Sequence, residues 1–189
     1  GQPITAYDFE SSWKKIITPA FPALCPQLFY PIKNAEKAAK GTVALDAVGI
    51  KALDAQTLLV ELEAPTPFFL ELISFCSFFP VPTHIDEAFP NWACTANEHF
   101  VCSGPFCLKK WQPNHEMVLE KNQHYWDRQN IALDQIHISI IANENTALQM
   151  FENDELDFLG TPAAPLPMDA LPSLEKKKEF ATAPVAGTV

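Results

Sequence analysis

The chain has 189 residues, 48% of them hydrophobic and 19% charged, with 23 acidic against 13 basic side chains and a net charge of −10. At this length one large domain or two lobes can form, and a folded chain of this size hides about 70% of its extended surface, so a substantial core is expected and disorder is not. The acidic balance repels phosphate backbones and anionic headgroups, which argues against nucleic-acid and peripheral-membrane roles. Proline stands at 17 residues and glycine at 6. The glycines at 1, 41, 49, 104, 160 and 187 are never closer than eight positions. Phosphate loops, dinucleotide fingerprints and G-x-S-x-G elbows need glycines within about five positions, so those three enzyme classes are excluded.

In chain order, Thr5-Ala-Tyr-Asp8 carries the hydroxyl and the carboxylate of a capping box. The helix it starts places Ala6, Phe9, Trp13, Ile16 and Ile17 on one face, ending before Pro19. The proline-studded stretch 19–31 is irregular, and Asn34 to Lys40 is a short helix closed by Gly41. Val48–Leu53 and Thr57–Leu62, separated by Asp54-Ala-Gln56, make a hairpin with Leu58, Val60 and Leu62 on one apolar face. Phe68 to Ile73 reads as a buried helix. The apolar run 68–82 is interrupted by Glu71 and two serines and falls well short of the about 20 residues of a membrane span.

Pro80-Val-Pro82 is a stiff extended linker, the expected crossover between a first unit, 1–80, and a second, 81–189. His84 to Phe89 is a helical turn. Phe106–Trp111 and Met117–Lys121 flank Gln112-Pro-Asn-His115 as a second hairpin, and Ile136, Ile138 and Ile140 are the inward face of a further strand. Asn143 caps a helix reaching Asn153. A short strand, Leu156–Leu159, then leads into the loop Gly160-Thr-Pro-Ala-Ala-Pro-Leu-Pro167, and Lys176 to Lys178 are a solvated helix end.

The five cysteines, at 25, 76, 94, 102 and 107, form no C-x-x-C. Cys94, His99, Cys102 and Cys107 are spaced by five, three and five, which misses the zinc-finger pattern. No metal and no other cofactor is expected. Buried free thiols fit an intracellular chain, and one disulfide among the last three cysteines fits an exported one. The histidines are scattered, and no nucleophile–base or carboxylate constellation forms a catalytic site. The opening Gly1-Gln2-Pro3, without an initiator Met or a basic-then-apolar leader, is expected of a piece of a longer chain or of a processed form.

Several strings together resemble one family. They are Pro3-Ile-Thr-Ala-Tyr-Asp8 with Trp13; Gly49-Ile-Lys-Ala-Leu-Asp54 with Thr57; Pro65-Thr-Pro67-Phe68; Pro80-Val-Pro82; Gly104-Pro-Phe106 with Trp111; Leu119-Glu-Lys-Asn122 with Tyr125-Trp-Asp127; Asp154-Glu-Leu-Asp157; Gly160 with Pro162; and Ala186-Gly-Thr188. In this order they are similar to the periplasmic or lipoprotein oligopeptide/dipeptide-binding components of ABC importers, solute-binding family 5. The resemblance implies an internal fragment of a mixed α/β, type II periplasmic-binding-protein fold. Residues 1–80 would be a truncated peripheral lobe, and residues 81–189 a segment of the main ligand-binding lobe up to the hinge.

The resemblance further implies a periplasmic or membrane-anchored, extracytoplasmic protein, monomeric and without enzymatic activity. It would capture a peptide ligand by hinge closure and deliver it to a membrane permease. A binder of a nickel chelate or other small solute is the alternative within the family; a cysteine/histidine metal-binding or hydrolytic domain is the alternative from another class. The expected ligand contacts are Leu159, Gly160, Thr161 and Pro162, where glycine permits close backbone approach and proline stiffens the rim. Tyr30 is the matching aromatic of the peripheral lobe, although Pro26 and Pro31 depart from the family's spacing there and a packing role stays open. Arg128 is the only arginine and sits in a turn. The expected contribution is therefore sequence-tolerant, through backbone groups, with Gly160→Val crowding the cleft.

Overall fold

The computed structural model describes residues 2–161 and 164–182. The chain divides into two compact units, residues 1–101 and 102–189. The division falls some twenty residues beyond Pro80-Val-Pro82, and side-chain chemistry accounts for the shift. Asp86 takes an ion pair from Lys15 and a hydrogen bond from the Trp92 indole at 3.2 Å. The Phe89 and His99 rings stack at 3.6 Å. Residues 83–100 are thereby tied to the first unit.

The first unit is built on helix α1 (Ala6–Ile16). The Asp8 carboxylate accepts from the Thr5 N–H at 2.8 Å and from its hydroxyl at 2.9 Å, satisfying a donor that the first turn leaves orphaned. The apolar face of α1 buries Trp13, 3% exposed, among Phe29, Phe78, Ile17, Ile32 and Ile50. The Trp13 indole meets Phe78 edge-on at 5.1 Å and donates its N–H to the Phe78 carbonyl at 2.8 Å, while Phe29 stacks on Phe78 at 4.2 Å. One indole thus joins segments 65 residues apart. Helix α2 (Ala35–Ala39) ends as expected at Gly41, whose φ of +71° suits glycine and whose N–H reaches Ala38 O at 2.8 Å.

Strands β1 (Ile50–Ala52) and β2 (Leu58–Val60) pair antiparallel, Ile50 opposite Val60. Gln56 N–H closes their turn onto Asp54 Oδ1 at 2.8 Å. The ladder widens before β1: Gly49 N–H donates to Lys33 O at 2.9 Å, and Gly49 O accepts from Glu61 N–H at 2.8 Å. Glu10 of α1 holds this hairpin, accepting from Ala52 N–H at 2.7 Å and Lys14 Nζ at 2.6 Å. Burial alone would raise its pKa, but these two donors outweigh it and hold the carboxyl below its ordinary value.

Helix α3 (Phe69–Leu72) is shorter than expected and buried on one face only: Phe69 is packed, whereas Phe68 and Leu70 are exposed. Helix α4 (Thr83–Ala88) follows the proline linker.

The second unit holds a three-stranded antiparallel sheet, β3 (Phe106–Gln112), β4 (Glu116–Lys121) and β5 (Gln135–Ser139), in sequential order. Asn114 takes φ +60° in the β3–β4 turn, and the register slips at Lys109, between Leu108↔Leu119 and Lys110↔Val118. In β5 the expected alternation appears at Ile136 and Ile138, half-buried between exposed neighbours. Ile140 lies beyond the strand end and is exposed, so the inward face is one residue pair shorter than expected.

Asn122, only 4% exposed, locks the entry to β3. Its N–H donates to Pro105 O at 2.8 Å, its amide to Gly104 O at 2.8 Å and Cys102 O at 3.4 Å, and its Oδ1 accepts from His124 N–H at 2.9 Å. Replacing it by Leu removes the side-chain bonds to Gly104 O, Cys102 O and His124 N–H and leaves only the backbone bond to Pro105 O. We expect Asn122→Leu to cost about 2 kcal/mol, read as lost hydrogen-exchange protection across β3 and β4.

Candidate ligand-binding site

Helix α5 (Glu144–Glu152) positions the loop expected to meet the ligand. Asn143 Oδ1 accepts from Thr146 N–H at 3.0 Å, the expected N-cap, and Ala147 faces inward with Leu148, Met150 and Phe151 half-buried. The C-terminus turns through Asp154 at φ +61°, with Asp154 N–H on Phe151 O at 3.1 Å and Glu155 N–H on Met150 O at 2.9 Å. These two bonds satisfy late carbonyls of the helix and send the chain out as an open, non-helical run.

Residues 156–161 form no strand, contrary to the expectation for Leu156–Leu159. A strand needs a partner ladder, and among the described residues none of the N–H groups of Leu156 through Thr161 donates to a backbone or side-chain oxygen. Within the run Leu156 and Leu159 are half-buried, Phe158 is 63% exposed, and Gly160 is buried at φ +141°. The Gly160 carbonyl accepts from Ala164 N–H at 2.9 Å, so one of its lone pairs is already engaged. Thr161 is exposed, and Pro162 lies outside the described residues, as does Ala186-Gly-Thr188. A Cβ built on Gly160 meets nothing within 4 Å. A side chain there would act through the disallowed φ rather than by the crowding expected from sequence.

Beside this run lies a cleft of about 380 Å³ between the end of α5 and residues 177–179. Glu152, Asp154, Asp157 and Glu179 line it, and its one amine, Lys177, is committed to Glu152 at 2.7 Å. Arg128 Nη1 donates to Gln123 O at 3.1 Å. The cleft lining thus offers acidic charge beside the backbone donors of Leu159–Thr161, and the one cation that lines it is already paired.

Tyr30 belongs to the first unit. It follows the 3₁₀ turn Pro26–Phe29, its N–H on Gln27 O at 3.2 Å, and its ring is half-buried next to the fully buried Phe29. Leu159, Gly160 and Thr161 are the residues expected from sequence; Leu156, Asp157 and Phe158 share their open backbone, since among the described residues their N–H groups also meet no acceptor. The alternation of Leu156 and Phe158 with Asp157 fits a paired strand equally well, so pattern alone does not reveal this. Among the described residues no group of three or more histidine, cysteine or acidic side chains is placed to hold a metal ion.

Comparison with known proteins decides the family. Residues 1–188 match the model of bacterial extracellular solute-binding proteins, family 5, middle. The chain belongs to this family. It is 39% identical over 187 residues to the oligopeptide-binding protein OppA of Bacillus subtilis (strain 168), covering 99% of this chain and 34% of that protein. The crystal structure of a periplasmic oligopeptide-binding protein, OppAIV, from Borrelia burgdorferi superposes with a TM-score of 0.86 at 35% identity, over 95% of this chain and 35% of that one. Listeria monocytogenes OppA, solved bound to peptide, gives 0.78 at 33% identity, over 83% and 31%.

This family 5 chain thus spans about a third of the length of the relatives it matches. Its mixed α/β fold is the corresponding part of the periplasmic peptide-binding fold, and the family is one of solute-binding proteins.

Proposed function

We propose that this chain is part of the ligand-capturing component of a peptide ABC importer, working outside the cytoplasm as a monomer and without catalysing a reaction. In that reading the first unit belongs to a peripheral lobe and the second to the main ligand-binding lobe. The whole protein holds an oligopeptide in a cleft between lobes. The ligand shifts an open–closed equilibrium by contacting both sides, and the closed form docks on the membrane permease.

The observation that supports this best is the run 156–161, whose backbone N–H groups point to no partner among the described residues. In a family with a peptide-bound relative, such a run suits strand addition, in which main-chain hydrogen bonds give affinity for any sequence. Leu159, Gly160, Thr161 and Pro162 are the proposed contacts, with Tyr30 offered from the first unit. Any peptide carboxylate is held by groups elsewhere in the protein.

Mass spectrometry of what co-purifies with the full-length protein tests the ligand class. A mixture of peptides sharing length but not sequence is expected. A single non-peptide solute, such as a metal chelate, would overturn the reading.

A further inference from the structure

Cys102 and Cys107 are free thiols whose sulfurs stand 2.8 Å apart. That is less than an ångström beyond the about 2.04 Å of a disulfide bond. The approach is held by the surrounding backbone. Between them run Ser103, Gly104, Pro105 and Phe106, and the buried Asn122 grips this turn by the carbonyls of Cys102, Gly104 and Pro105. Cys107 is the second residue of β3, paired to Glu120. Both ends of the six-residue loop are therefore fixed before any covalent bond forms, so little further ordering is needed to close it.

We propose that Cys102 and Cys107 form an intramolecular disulfide that staples the Gly104-Pro105 turn to the start of β3, leaving Cys25, Cys76 and Cys94 as thiols. The oxidant is an external low-molecular-weight or protein disulfide. One of the two sulfurs loses its proton and attacks it, releasing one thiol and forming a mixed disulfide. The other sulfur then loses its proton, attacks the first and releases the second thiol. One external disulfide is reduced to two thiols for each internal bond made.

Burial, followed by the hydrogen bond to Cys107, pushes the Cys102 thiol up to about 12, and its sulfur also stands 3.3 Å from Phe106 O. The bond is independent of which solute the protein carries.

The test is peptide mapping of the native full-length protein after equilibration in glutathione buffers and alkylation of remaining thiols. Expected in oxidised buffer is a Cys102–Cys107 cross-link, with Cys25, Cys76 and Cys94 fully alkylated. C94S keeps the link, and C102S accumulates a glutathione adduct on Cys107 that the wild-type chain does not retain. A link from Cys94 to either cysteine, or both thiols still alkylated in fully oxidised glutathione, would overturn the proposal.

Discussion

Trp13→Ala should be the most damaging single change in the first unit, at about 3–5 kcal/mol. The indole fills the space between α1 and two aromatic rings and is 3% exposed, so its removal leaves a cavity in the core. A second cost adds to the cavity, because the Phe78 carbonyl loses the indole N–H in a buried setting. Trp13→Phe separates the two: it keeps most of the ring volume and drops the N–H, so about 1–3 kcal/mol should remain. Native-state hydrogen exchange on the full-length protein reads both as lost protection in α1 and in the 3₁₀ turn Cys76–Phe78. Equal losses for the two variants would mean that the hydrogen bond, not the packing, holds the segments together.

Gly49→Val is expected to rank next, at about 3 kcal/mol, the upper end of overpacking costs. Any Cβ at this position would stand 2.6 Å from Glu61 O and 2.9 Å from Glu61 Cβ, and a backbone oxygen engaged in a ladder cannot swing away. The same oxygen already accepts from Lys33 N–H at 2.9 Å, so relieving the clash means separating the 32–33 segment from β2. Gly104→Ala is the control. Nothing lies within 4 Å of its Cβ, and the change should stay within about 0.5 kcal/mol. Thermal melts and exchange protection at Ile50 and Val60 distinguish the two.

The parts of this fold that were legible in the sequence are those stabilised locally. Thr5 and Asp8, Asn143 and Thr146, and Gly41 mark helix ends through contacts three or four residues away, and the two hairpins close through their own turns. What sequence misplaced depends on distant partners. The unit boundary was moved from Pro80-Val-Pro82 by Asp86, whose partner Lys15 is 71 residues off. Phe68–Ile73 has the apolar content of a buried helix, yet Phe69, Leu72 and Ile73 meet the core while Phe68 and Leu70 are exposed, and pattern alone does not say which face is covered.

In the candidate site, the expectation for Gly160 is close approach of a ligand backbone, whereas the feature its own geometry shows is a φ of +141° that favours glycine, with nothing within 4 Å of a Cβ built there. Asn122 stood in the family's string without a role, because the three carbonyls it serves are reached only once the turn at Gly104 has folded back on β4.

The claim that the second unit contributes peptide affinity through backbone geometry is tested most directly by calorimetry on the full-length protein. Gly160→Val and Thr161→Ala are compared with wild type on a small set of peptides unrelated in sequence. Valine at 160 cannot hold φ +141°, so the run 157–161 must re-route. A weakening of about 1–3 kcal/mol, common to all peptides, is expected if a ligand hydrogen bond is lost, while Thr161→Ala, which leaves the backbone in place, should bind as wild type does. Affinities unchanged by Gly160→Val, or losses that follow the side chains of the peptide, would contradict it.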